Sequence, residues 1–200
     1  MSASIAINPV ITTNAQNSFL LETSGYVAGT YLDDPGLRYQ LEGGVLGAVT
    51  QPCWGSLPIS LAVPAVGAAT MLGSVALLAA SSGANINAWM VFNQASAGIQ
   101  TATSSVPQYL PGMSINFLRV GCGLRLVLPV YATDVATIAG AAPTIDLYWD
   151  FTNYRITSTA GTGILPVIAE SVHTNGKIPV YNSGTGAVNW STGPVIVVRI

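Results

Sequence analysis

The chain has 200 residues, of which 50% are hydrophobic and 7% charged, and its six basic and eight acidic side chains give a net charge of −2. An average domain carries about 25% charged residues, and disorder requires low hydrophobicity with high net charge. The composition excludes a disordered chain. The lack of a basic patch argues against direct nucleic-acid binding and against a polybasic membrane anchor.

The charged residues are distributed unevenly. Residues 43–118 are 76 consecutive residues without Lys, Arg, Asp, Glu or His, here called the charge-free segment. Within it, residues 57–80 are the best candidate for a membrane span. Pro58, Pro64 and Gly67 interrupt that stretch and no Lys or Arg flanks it, so we expect no span. The uncharged surface must then be covered by the protein's own fold, by other copies or by a partner.

The N-terminus predicts an extended arm. Residues 1–24 are mostly small and polar, and Glu22 is their only charged residue. They have no positive region followed by a continuous apolar run, as a secretory signal would. Such a segment becomes ordered only where it lies on another surface. A turn at Asp33-Asp34-Pro35-Gly36 follows, and we expect residues 25–200 to form a single β-rich domain.

The rest of the chain predicts mainly strands, because apolar and polar residues alternate or β-branched residues cluster. The predicted strands cover residues 37–42, 45–49, 87–92, 113–118, 124–130, 145–151, 164–174, 177–181 and 195–200. Asn175-Gly176 predicts a type I′ hairpin turn between two of them. Short helices are predicted at Ala68–Ala80 and at Thr133–Ala139, the second with Thr133 as its cap and Asp134 near the positive end of the helix dipole.

This pattern predicts an all-β fold. The expected architecture is a β-sandwich or barrel of jelly-roll type, with an extended N-terminal arm and at most one or two short helices.

Candidate catalytic residues are few. His173 is the single histidine, so a Ser-His-Asp triad would need it, with Asp146 or Asp150 as its orienting group. No G-x-S-x-G sequence surrounds any serine, and we interpret His173 as an exposed hairpin residue. The pair Asp33-Asp34 is interpreted as a turn, and Asp146 and Asp150 as the polar face of one strand. We predict no enzyme and no catalytic or cofactor-binding residue.

Two further residue types were candidates for binding. Cys53 and Cys122 could form a disulfide or stay as buried thiols, but with one histidine they do not make a zinc site, and no metal site is predicted. Trp54, Trp89, Trp149 and Trp190 could stack on sugars, although such residues more often form cores or interfaces.

The segment TSGYVAGTYLDDPGLRYQLEGGVLGAVTQPCWGSLPI, Thr23–Ile59, resembles head decoration or cement proteins of tailed bacteriophages. Similar landmarks are VFNQA (Val91–Ala95), INFLRVGCGLRLVL (Ile115–Leu128), DLYWDF (Asp146–Phe151) and the ending AVNWSTGPVIVVRI. The resemblance implies a β-rich capsid decoration protein on the outer surface of the virion, bound to the major capsid protein. It also implies a homo-oligomer, with a trimer favoured over a dimer, and no contact with nucleic acid or membrane.

The arm and the tip loops are the expected contacts with the shell. Three other functions stay open. A jelly-roll coat protein is disfavoured because such proteins usually carry a basic arm, whereas residues 1–21 have no charge. A carbohydrate-binding or adhesin module would use exposed tryptophans. A hydrolase has the least support in the sequence.

Overall fold

The computed structural model describes residues 26–32, 40–63, 75–78, 83–92, 98–161 and 163–200. Within these ranges the first six strands are β1 (Tyr31–Leu32), β2 (Leu41–Leu46), β3 (Pro58–Ala62), β4 (Val75–Leu78), β5 (Ala88–Val91) and β6 (Ser114–Arg119). The other elements are β7 (Arg125–Pro129), helix α1 (Val135–Ile138), β8 (Tyr148–Asp150), β9 (Arg155–Thr157), β10 (Ile168–Asn182), β11 (Ala187–Arg199) and a 3₁₀ turn at Gly83–Asn85. The predicted arm and the turn at residues 33–36 lie outside the described residues.

The charge-free segment forms a closed five-stranded barrel in the order β2-β4-β3-β5-β6. All neighbours are antiparallel except β2 and β4, which pair in parallel through Val45 with Val75 and Leu46 with Ala76. β2 and β6 close the barrel, with Leu41 opposite Leu118. Closure removes the sheet edges that would otherwise invite pairing with other chains.

A second sheet has the order β1-β7-β11-β10, and β8 and β9 form a separate two-stranded ribbon. β10 and β11 are long strands joined by a tight turn after Asn182, where the Gly186 N–H donates to the Asn182 carbonyl at 2.8 Å. The inner faces of both sheets share one hydrophobic cluster, which includes Trp54, Phe117, Leu126 and Ile196.

Residues 26–30 tie the second sheet together and join it to the barrel. The Ala28 N–H donates to the Lys177 carbonyl on β10, and the Gly29 N–H donates to the Val127 carbonyl on β7, both at 2.8 Å. Gly29 has φ +87°, and a Cβ there would lie 2.6 Å from the carbonyl carbon of Gly55 and 2.8 Å from the Phe92 ring. This close approach is possible only for glycine, which explains its place at the junction.

The predicted hairpin turn at Asn175-Gly176 is wrong. β10 runs through this dipeptide, and the pairing with β11 only shifts register between His173 and Gly176, as in a β-bulge. Gly176 lies directly opposite Gly193 on β11. Its missing side chain serves close packing, because a Cβ on Gly176 would be 2.5 Å from the Val195 Cγ1 atom. The real turn lies at residues 183–186, in the sequence Ser-Gly-Thr-Gly.

The two helix predictions have different outcomes. Residues 75–78 of the predicted helix Ala68–Ala80 form strand β4, because pairing with β2 and β3 overrides the local helix propensity; the other positions of that helix lie outside the described residues. Helix α1 confirms the second prediction in shortened form. Its N-cap is Asp134 rather than Thr133 and makes no side-chain cap hydrogen bond.

The mainly β fold with a barrel and one short α-helix is confirmed by the described residues. The jelly-roll type is not confirmed, because the closed barrel has five strands and includes a parallel pair. The strand predicted over 145–151 shortens to Tyr148–Asp150. Among the described helices, none has the length and apolarity needed to cross a membrane.

The glycine pair gives the first prediction. Replacing Gly176 with Ala should lower the free energy of unfolding by about 1–3 kcal/mol, since the new methyl group overlaps Val195 in a packed region. Urea denaturation measures the change. Gly43→Ala on β2 is the matched control, because the nearest atom to its Cβ would be 4.0 Å away. Equal losses in the two variants would contradict the packing role of Gly176.

Ser56 gives the second prediction. This residue is buried with φ +84°, and its hydroxyl has no hydrogen-bond partner among the described residues. Ser56→Gly should raise the free energy of unfolding by about 1 kcal/mol, because it removes backbone strain and an unsatisfied buried hydroxyl. The greater freedom of glycine in the unfolded chain offsets part of this gain.

Ser104 is the matched control for that measurement. It is also a buried serine, but its hydroxyl accepts hydrogen bonds from the Gln108 side chain at 2.7 Å and from the Val188 N–H at 3.1 Å. Ser104→Gly should therefore destabilise the protein in the same urea titration. A loss of stability in Ser56→Gly as large as that in Ser104→Gly would contradict the assignment of strain.

Candidate interaction surface

One side of the barrel presents an uncharged face, here called the outer wall. It consists of the outward-facing residues of β6, β2, β4 and β3. Strand register places Ser114, Val45, Val75 and Ala62 in one row across these four strands. Their neighbours Gly44, Leu46 and Ala76 point inward and are buried, as expected from the alternation of side chains along a strand.

The outer wall is flat because several of its positions have small side chains. Gly43 and Gly47 lie on β2 and just after it, and Leu77 of β4 folds over Gly47. A Cβ on Gly47 would be 2.6 Å from the Leu77 Cδ2 atom, so the leucine occupies the space that a larger side chain would take. The result is a low, apolar relief on which another flat surface could pack closely.

Large apolar side chains at the wall and its margins are exposed. Val63, directly after β3, is 92% exposed, and Leu77 on the wall is 38% exposed. Leu110 lies in the turn that leads into β6 and is 43% exposed. Single exposed apolar residues are ordinary, but three on one uncharged side of the barrel indicate a surface for contact with another protein.

The outer wall faces away from the second sheet. β5 lies between β3 and β6 in the barrel, across from the β2–β4 pair, and all four of its residues are buried. Trp89 on β5 packs against Trp149 on β8, with ring centroids 5.1 Å apart at 75°. The rest of the molecule thus covers one side of the barrel and leaves the opposite side open.

Charge returns at the two borders of the charge-free segment. The Arg119 Nε atom donates to the Glu42 Oε1 atom at 2.7 Å, across the β2–β6 pair that closes the barrel. The first charged residue before the segment therefore pairs with the first one after it. Because both side chains are about half exposed, such a pair contributes only about 0–1 kcal/mol.

His173 is not an exposed hairpin residue, contrary to our interpretation. Its ring stacks on Tyr26, with centroids 3.8 Å apart, and its Nε2 atom lies 3.0 Å from the Ser171 hydroxyl. A serine beside a histidine is part of a nucleophile–base arrangement. Among the described residues no carboxylate reaches His173 to complete a triad, so the pair has no orienting group.

Asp150 has a structural role in the turn between β8 and β9. Its carboxylate accepts hydrogen bonds from the Tyr131 hydroxyl, from the Asn153 side chain at 2.9 Å and from the Thr152 N–H at 2.7 Å. Burial raises the pKa of Asp150, but these hydrogen bonds outweigh it and lower the pKa to about 2. Burial, with the hydrogen bond to Asp150 and its charge, raises the pKa of Tyr131 to about 12.

The other carboxylates considered above do not join Asp150 in a site. Asp146 is exposed and makes no hydrogen bond or ion pair within the described part of the chain, while Asp33 and Asp34 lie outside it. Groups of three or more His, Cys, Asp or Glu side chains that could hold a metal ion are absent from the described ranges.

The cysteines are separate thiols rather than a disulfide. Cys53 is buried in the main hydrophobic cluster, and burial raises the pKa of its thiol to about 12. Burial also raises the pKa of Cys122, which is half-buried in the turn after β6. Both thiols are therefore poor nucleophiles near neutral pH.

The tryptophans form the core instead of a sugar-binding surface. Trp54, Trp89 and Trp149 are buried, and Trp190 is half-buried with its ring 5.5 Å from Phe92. A carbohydrate-binding function through Trp54 is therefore not favoured. The exposed apolar residues of the barrel were the site that single-residue arguments missed; their signal was the length of the charge-free segment.

Three comparisons with known proteins found no match: no family model, no curated protein and no solved structure is similar to this chain.

The hydrogen bonds of Asp150 predict a pH-dependent stability. Because its folded pKa is depressed, its contribution is complete above its ordinary value of 3.8 and is lost as the pH falls through about 2. Asp150→Asn should lower the free energy of unfolding at pH 7 by about 1 kcal/mol, after allowance for solvent screening. The difference from the unaltered protein should shrink toward pH 2.

Thermal or urea unfolding across this pH range measures the difference. Asp146→Asn, which removes an exposed carboxylate on the same segment, should leave stability unchanged at every pH. A loss in Asp150→Asn that stays constant from pH 7 to pH 2 would contradict the role of the ionised carboxylate.

Proposed function

We propose that this protein is a structural decoration protein that binds the outer surface of a viral capsid and strengthens contacts between major capsid subunits. The observation that carries this proposal is the outer wall: a flat, uncharged face turned away from the rest of the molecule. The sequence resemblance to phage head decoration proteins supports the same function.

An uncharged wall suits permanent binding to another protein. Burying apolar surface contributes about 25 cal/mol per Å², and no charged side chain of the wall would lose its hydration in the contact. Val63 and Leu77 provide apolar side chains that the fold of one copy does not cover. A cement function requires this kind of contact area and no turnover of a substrate.

The proposal includes association with other copies of the chain, with a trimer favoured. Several linked copies bind a repeating lattice much more tightly than one copy, because each further contact forms at high effective concentration. The mass of the protein in solution tests this part directly. A trimer would have three times the 20.6 kDa mass of one chain.

Capsid binding gives the fourth prediction. Purified protein added to heads that lack it should sediment with them and raise the temperature at which they open. Leu77→Asp should weaken this binding at least about tenfold, because it buries an unpaired charge in the contact. Val180→Asp is the matched control, since Val180 is 37% exposed but lies on β10.

The melting temperature of each free variant should stay near that of the unaltered protein, because both positions are exposed. Failure of the unaltered protein to bind or stabilise heads would contradict the proposed function. Equal losses from Leu77→Asp and Val180→Asp would contradict the assignment of the wall as the binding surface.

A further inference from the structure

One edge of β10 has an open section. The Val130 N–H donates to the Pro194 carbonyl and the Ile200 N–H donates to the Leu124 carbonyl, so alternate residues of β11, including Ile196, direct their main-chain groups away from β10. Val172 pairs with Ile196. Its own main-chain groups therefore point outward, and no described residue bonds to them.

A cavity lies beside this open edge. It has a volume of about 200 Å³ and lies between residues 138–143, which include the end of α1, and residues 169–172 of β10. The Ala169 N–H donates to the Pro143 carbonyl at 2.9 Å and joins the two walls at one end. An enclosed volume of about 150 Å³ is enough for a benzene ring, so this cavity can take a large apolar side chain.

The described N-terminal residues already run along the same edge. Val27 and Lys177 form a parallel bridge, in which the Lys177 N–H donates to the Tyr26 carbonyl at 2.9 Å. The Tyr26 ring stacks on His173, four positions nearer to the cavity along β10. Continued toward the N-terminus, a parallel strand would pass Val172 and the cavity.

The register identifies which residues would arrive there. The cavity residues 169–172 lie five to eight positions before Lys177, and parallel strands rise together by about 3.3 Å per residue. Counting back from Val27, and allowing one position for each of the two bulges in β10, gives residues 19–23. Phe19-Leu20-Leu21 is the only run of three large apolar side chains before Tyr26.

We propose that residues 19–23 of this chain add as a parallel strand to the open edge of β10 and place apolar side chains of the Phe19-Leu20-Leu21 run in the cavity beside α1. This strand addition satisfies the main-chain groups of Val172 and covers an exposed sheet edge. It also fixes the point at which residues 1–18 leave the body of the protein. The inference is independent of capsid binding.

Hydrogen exchange on the full chain tests the proposal. The main-chain N–H groups of Val172 and of residues 19–23 should exchange at least tenfold more slowly than those of residues 2–8, with unchanged rates after tenfold dilution. Exchange of residues 19–23 as fast as residues 2–8 would overturn it. Protection of Val172 alone, or protection lost on dilution, would assign the edge to another chain and overturn it too.

A pair of double variants separates this seat from a general effect of added charge. Leu20→Asp with Leu21→Asp places a charge toward the cavity whichever side chain faces it, since neighbours along a strand alternate. Exchange at Val172 should rise at least tenfold. Val10→Asp with Ile11→Asp makes the same charge change earlier in the arm and should leave Val172 unchanged; equal responses would overturn the proposal. A fluorescence melt of the buried tryptophans separates global unfolding from local release.

Discussion

The antiparallel pairing of β2 with β6 is the constraint on which the rest of the structure depends. It joins strands at the two ends of the charge-free segment, Leu41–Leu46 and Ser114–Arg119. Closure turns an uncharged stretch of chain into a barrel whose interior is filled by its own side chains. Glu42 and Arg119 then meet at its border, so the nearest charges neutralise each other beside the wall.

Closure also gives the two sides of the barrel different surroundings. The Trp89 side packs against β8 and becomes core, whereas the β2–β4 pair has no element over it among the described residues. The same uncharged composition thus supplies a core on one side and a wall on the other. This asymmetry explains how a chain with 7% charged residues can use its apolar surface for binding as well as for folding.

Residues 26–30 couple the barrel to the second sheet through main-chain hydrogen bonds and the close approach at Gly29. They end where His173 stacks on Tyr26, beside the open edge of β10. Two kinds of surface therefore lie on different parts of the molecule. The wall offers flat apolar contact, and the β10 edge offers main-chain hydrogen bonds.

The sequence by itself determined the mainly β class, the strands β5, β6 and β7, and the absence of charge from the barrel, because alternation and composition are local properties. It misplaced the hairpin turn and took part of β4 for helix. Only the tertiary structure decided these points: Gly176 is required by the side chain of Val195 across the sheet, and Ala76 becomes strand because β2 and β3 pair with it. The outer wall, too, exists only after closure, since which uncharged residues face outward depends on partners that are distant in the chain.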